Sequence, residues 1–158
     1  MCGLGDPLQI ISKQREELRR LCIKMENVAD MLPAPPGRAT FQWIHSTLKQ
    51  ALPIFNRNEE TLYSLIVAKY PESVTDSVKL ISLIQAQHKT HIAFADEFDE
   101  LFLEDNGTDA ELGYILRYFF ETLSNHLDWE DAVMMPLAEG MLNKDDFSLI
   151  AKSIAIYP

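Results

Sequence analysis

The chain is short of cysteine, of basic side chains and of long apolar runs, and each shortage removes a class of protein. Its 158 residues include two cysteines, Cys2 and Cys22. One near the terminus and one in a helical pattern, they form neither a disulfide framework nor a thiolate zinc cluster, so a reducing compartment, the cytoplasm, is the expected address. Lysine and arginine number 14 against 24 aspartates and glutamates, a formal net charge of −10. A surface of that sign repels phosphates, which excludes nucleic acid as a partner and favours a cation or a small neutral molecule. No apolar run approaches the roughly 18 residues of a membrane span, and no basic segment followed by an apolar one opens the chain, so no membrane partner or signal peptide is expected. Strand-like alternation, repeats, a glycine-rich phosphate loop and a nucleophile elbow are missing too. Nothing marks the chain as an enzyme of covalent catalysis.

What is present is helical periodicity. With 47% hydrophobic residues, a chain of this length can bury the core of one domain over residues 1–158. Four segments repeat their apolar residues with a 3.6-residue period. The first covers residues 7–32, with Asp6 as N-cap and Pro7 at the first helical position, and stops at Pro33-Ala34-Pro35-Pro36-Gly37. The second covers 38–70, ends before Pro71 and contains Pro53, which should kink it. The third covers 75–104 and stops at Asp105-Asn106-Gly107. Thr108 or Asp109 caps the fourth, whose stripe runs over 112–137, and Asn143 caps a short terminal helix through Ile154. Short connections predict an all-α, up-down-up-down antiparallel four-helix bundle with a short C-terminal helix.

Polar residues interrupt every inward stripe. Helix one presents Ile11, Gln14, Leu18, Leu21, Met25, Val28 and Leu32; helix two Phe41, Ile44, Leu48, Leu52, Phe55, Glu59, Leu62 and Ile66. Helix three presents Ile81, Ile84, His88, His91, Ala95, Phe98 and Phe102. Helix four presents Leu112, Leu116, Phe119 and Leu123, then His126 and Glu130 one turn apart, then Val133 and Leu137. Residues equally far from a shared turn lie at the same depth in an antiparallel pair. Gln14 lies 18 residues before Leu32 and Glu59 lies 21 after Arg38, while His88 lies 16 before Glu104 and His126 lies 18 after Thr108. The interruptions therefore fall in one layer. His45 sits roughly 20 Å along the axis from Glu59 and does not join them.

An unpaired charge in a core costs several kcal/mol or more, so something inside must satisfy this layer. His88, His91, His126, Glu59 and Glu130 form a nitrogen and oxygen ligand set suited to iron, manganese or zinc. A metal-free hydrogen-bonded network is the alternative the same residues allow.

Several segments resemble those of hemerythrin-like (HHE cation-binding) domains. They are Asp6-Pro7-Leu8, Pro53 followed by Asn58-Glu59-Glu60, His88, the run His126-Leu127-Asp128-Trp129-Glu130, and Pro136-Leu137-Ala138. The resemblance spans nearly the whole chain in the correct order. It implies a four-helix bundle around a non-heme di-iron centre that serves oxygen binding, oxygen or nitric oxide sensing, or iron handling.

Two positions depart from the family pattern. Gln14 stands where the first histidine is expected, and Phe55 stands where a histidine four residues before Glu59 is expected. In the family arrangement both missing ligands belong to the same iron, so the loss is asymmetric. His91, one turn after His88, supplies an extra imidazole, and the residues present favour one non-heme iron over two. An incomplete ligand shell leaves a position open for O2 or NO. The alternative is a degenerate, metal-free member acting as a regulatory module for a protein partner. Trp129, Met134, Met135, Met141 and Cys22 are expected to pack, Tyr114, Tyr118 and Phe120 flank the fourth stripe, and the acidic run from Asp96 to Glu100 is expected to be a solvated face.

Overall fold

The computed structural model describes residues 6–69, 74–103 and 107–155, with the side chains of 74–78 and 103 left aside. Cys2, the expected helix ends at Tyr70 and Glu104, Pro71 and the turn residues Asp105 and Asn106 lie outside the described residues. Every described element is helical: α1 Pro7–Met31, α2 Arg38–Ser46, a π turn Thr47–Ala51, α3 Leu52–Lys69, α4 Val74–Leu103, α5 Asp109–Trp129, a second π turn Glu130–Met134, α6 Met135–Met141 and α7 Lys144–Ser153.

Local chemistry sets the starts. Asp6 accepts the amide N–H of Leu8 with Pro7 inside the first turn. Thr108 and Glu111 form a reciprocal capping box at α5, as Asn143 and Asp146 do at α7. Caps of this kind contribute about 1 kcal/mol each.

Contacts along each seam give the helix directions. Arg15 reaches Asp131 while Arg117 reaches Asp30, so α1 and α5 run antiparallel. Asn58 meets Gln14 while Lys24 lies over the Trp43 ring, which sets α1 against α2 and α3. Glu60 meets His88 and Lys49 meets Asp96, setting α3 against α4. Gln87 meets His126 and Phe94 stacks on Phe119, closing the bundle between α4 and α5. The result is the expected all-α bundle, with α7 packed across α1 and α3.

Each π turn ends two residues before a proline. Leu52 donates to the Thr47 carbonyl and Met135 to the Glu130 carbonyl, one residue beyond α-helical spacing. Pro53 and Pro136 lack an N–H, and in a regular helix their rings would strike the carbonyl four residues back; the added residue relieves both. This extra residue corrects the expected end of the fourth stripe. Val133 is 41% exposed and Leu137 only half-buried, while Met134 and Ala138 take the inward positions.

Two apolar clusters fill the interior. One gathers Leu18, Met25, Leu48, Phe55, Phe98, Leu116 and Leu123, with Cys22 at its edge, and the other gathers Ile11, Leu62, Ile66, Ile84, Met134 and Ala138. On α1, α3 and α4 the buried polar residues lie between residues of the first cluster and those of the second, while on α5 His126 falls between Leu123 and Leu127 of the first. The acidic run corrects an expectation in part, because Asp96 and Asp99 both pair with Lys49 and Asp99 also with His45.

Candidate metal centre

Between the two apolar clusters, Glu59 on α3, His88 on α4, His126 on α5 and Glu130 at the second π turn converge. Each offers a ligand atom, and these atoms all lie within 4.8 Å of one another. All four side chains are buried. Glu59 Oε2 lies 3.2 Å from His88 Nε2 and 3.8 Å from His126 Nε2, and Glu130 Oε1 lies 3.3 Å from His126 Nε2.

The far side of each imidazole is fixed by an acceptor. His88 Nδ1 is 2.8 Å from Glu60 Oε1, and His126 Nδ1 is 2.6 Å from Gln87 Oε1. A carboxylate and an amide oxygen only accept, so both Nδ1 atoms carry the proton and donate it. The two Nε2 atoms are left facing the carboxylates, the tautomer and aim that a histidine ligand needs. His126 Nε2 has no hydrogen-bond partner, since its 3.3 Å approach to Glu130 Oε1 lacks hydrogen-bond geometry. An orphaned buried imidazole nitrogen, together with an N2O2 donor set, fits a resident metal ion.

Electrostatics within the layer compensates for burial. Burial opposes a charge on Glu59, but the neighbouring imidazoles of His126 and His88 outweigh it and hold its carboxyl far below the usual range. Burial likewise opposes protonation of His126, yet Glu130 and Glu59 hold its pKa up at about 9. His88 is raised against burial by Glu59 and Glu60. Glu130 is raised by burial and by the charge of Glu59, against the pull of His126 and Arg15. In this arrangement protons sit where a cation would.

His91 is placed at the edge of the layer. It is buried, its ring edge-on to His126 at 5.7 Å and to Phe119 at 5.5 Å, and its Nδ1 has no partner. Burial and the neighbouring His126 push its pKa down to about 3, so it stays neutral. It stands outside the four residues whose ligand atoms converge. His45 is committed to Asp99, away from the layer.

A family model, the hemerythrin HHE cation binding domain, matches residues 6–138. The chain belongs to this family. Comparison with curated proteins and with solved structures gave no match. The hemerythrin match covers all four converging residues, so the buried Glu59, His88, His126 and Glu130 cluster is a possible metal site of a cation-binding domain.

The two positions expected to depart from the family pattern each have a defined place in the fold. Phe55 is packed in the apolar cluster. Gln14 donates to the Ala155 carbonyl at 3.2 Å and accepts from Asn58 Nδ2 at 3.0 Å. Asn58 also binds both backbone groups of Ala155, donating at 2.7 Å and accepting at 2.9 Å. The helix-one interruption thus anchors the segment that follows α7.

Four participants escaped the sequence reading. Tyr63, buried, donates its hydroxyl to Glu130 Oε1 at 2.5 Å, and Arg15, buried, lies with Nε 3.6 Å from Glu130 Oε2. Gln87 and Glu60 hold the outer faces of the histidines. Tyr63 follows Glu59 by four residues, so helical spacing alone could have flagged it. Among the described residues no helix is long and apolar enough to cross a membrane.

Proposed function

We propose that this hemerythrin domain, a single cytoplasmic domain over residues 1–158, holds one non-heme iron ion and uses it to bind or sense O2 or NO. The ligands are Glu59, His88, His126 and Glu130, with His91 available as a further nitrogen. The carrying observation is the aim of the two histidines, each with Nδ1 spent on an outer acceptor and Nε2 turned to two carboxylates. Iron bound there would supply reversible coordination and one-electron chemistry toward a diatomic ligand. The protein's own part is to orient the imidazoles, offset the ion's charge with Glu59 and Glu130, and keep water out with the apolar clusters on either side. A cleft of about 340 Å³ lined by Leu80, Leu83, Ile84, Gln87, Asn125 and Trp129 reaches His126 and gives a small molecule a way in.

Anaerobic titration of metal-free protein with Fe(II), followed by exposure to NO, tests the reading. Uptake of one ion per chain and a ferrous-nitrosyl spectrum support it. A protein that takes up no ion, and in which His126→Ala changes only stability, is instead a metal-free interaction module. The proton-bearing His–Glu network described above is what favours that second reading.

A further inference from the structure

Arg15 is the one arginine or lysine buried among the described residues, at 3% exposure, and it lies inside the polar layer. Its Nη2 is fully engaged, 2.7 Å from the Leu127 carbonyl and 2.7 Å from Asp131 Oδ1. Its Nε stands 3.6 Å from Glu130 Oε2, and both Nε and Nη1 are buried without a hydrogen-bond partner. The two oxygens of Glu130 therefore face different cations. Oε1 looks toward His126 and Tyr63, while Oε2 looks toward a fixed guanidinium.

From this division of Glu130 we infer that Arg15 is a resident cation that limits the cluster to one metal ion. The inference rests on the metal-site reading above and adds its stoichiometry. Two observations converge on it. A metal ion at Glu130 Oε2 would be repelled by a guanidinium held in place by the Leu127 carbonyl and Asp131. The side chains that could complete a shell near helix one are also unavailable, since Gln14 is committed to Asn58 and Ala155 and Phe55 has no donor atom.

Gln14→His with Phe55→His would restore histidines at both departures, and the inference holds that Arg15 still keeps out a second ion. The measurement is metal per chain by elemental analysis after anaerobic loading with Fe(II) and removal of loose metal. The variants are the Gln14→His/Phe55→His pair, alone and combined with Arg15→Met, Arg15→Gln or Arg15→Lys, each checked for helicity. The expected counts are one for the pair, two with Arg15→Met or Arg15→Gln, and one with Arg15→Lys, which keeps the charge. Two ions in the pair alone, or no gain on removing the charge in a folded variant, overturns the inference. Wild-type protein that takes up no ion overturns the metal-site reading instead, and the inference is then still decided by whether removing the Arg15 charge raises the count. In metal-free protein, Arg15→Met should lower the unfolding midpoint more when Glu130 is present than beside Glu130→Gln. Equal shifts in the two backgrounds would mean that Arg15 does not act on Glu130, which also overturns it.

Discussion

The Tyr63 hydroxyl donates to Glu130 Oε1 at 2.5 Å, joining α3 to the second π turn through two side chains that are both 0% exposed. Burial and the negative charges of Glu59 and Glu130 drive the Tyr63 pKa upward, so the phenol remains a donor throughout the accessible pH range. Tyr63→Phe removes that donor and leaves Oε1 with less to satisfy it. The expected loss is roughly 1–3 kcal/mol of stability in metal-free protein, read from urea unfolding curves. A wild-type midpoint in the variant would mean that the bond contributes nothing.

The outer acceptors should matter for metal and little for folding. Gln87 is half-buried at the mouth of the cleft and meets the layer through His126 Nδ1. Gln87→Ala frees that ring to rotate, and partners of this kind typically change metal affinity by about 10–100-fold. Competition with a chelator of known affinity should register a loss of that size while the melting temperature stays close to wild type. An unaltered affinity would remove Gln87 from the account.

In metal-free protein, stability should peak near pH 6.5, the ordinary histidine pKa. His126, held up at about 9 by Glu130 and Glu59 against burial, contributes stability that is fully present below 6.5 and lost as pH rises through 9. The alkaline loss is on the order of 3 kcal/mol. His91, pushed down to about 3 by burial and His126, acts with the opposite sign, and its contribution disappears as pH falls from 6.5 toward 3. Glu59, lowered from 4.5, adds to the acid limb, and Glu130, raised by burial and by the charge of Glu59, offsets part of it. Urea unfolding from pH 5 to 10 should trace this profile, and His126→Gln should flatten its alkaline side. A stability that keeps rising to pH 9 would show that His126 is not held by the carboxylates.

Asn58 is expected to be the most costly of the polar residues to lose outside the cluster. It is fully buried and holds both backbone groups of Ala155 as well as Gln14. Asn58→Ala leaves those partners unmatched, at a cost of about 3 kcal/mol, and should loosen the anchoring of the segment after α7. Hydrogen exchange should then accelerate at Ala155 before it does in the bundle. Unchanged exchange there would contradict the anchoring role.

The bundle was legible because its evidence is periodic: stripes, caps and prolines mark each helix, and depth counting placed Glu59, His88, His126 and Glu130 in one layer. The count failed where a helix stopped being regular. The π turn at Glu130 adds a residue, so Val133 faces outward and Met134 inward, and nothing in a 3.6-residue count anticipates that shift. Arg15 was missed for a different reason. A basic residue beside a stripe is normally solvated, and only the meeting of α1 with Glu130 and Asp131 reveals that this one is buried with a partner. His91 lies on the stripe as counted, yet its ring turns to Phe119 and His126, a side-chain direction that spacing does not fix.

The most direct measurement is a crystal of protein loaded anaerobically with Fe(II), with diffraction recorded on both sides of the iron absorption edge. A single anomalous peak per chain is expected, bounded by Glu59, His88, His126 and Glu130, with the Arg15 guanidinium still against Glu130 Oε2. No peak, or a second peak beside Glu130 with Arg15 displaced, would contradict it.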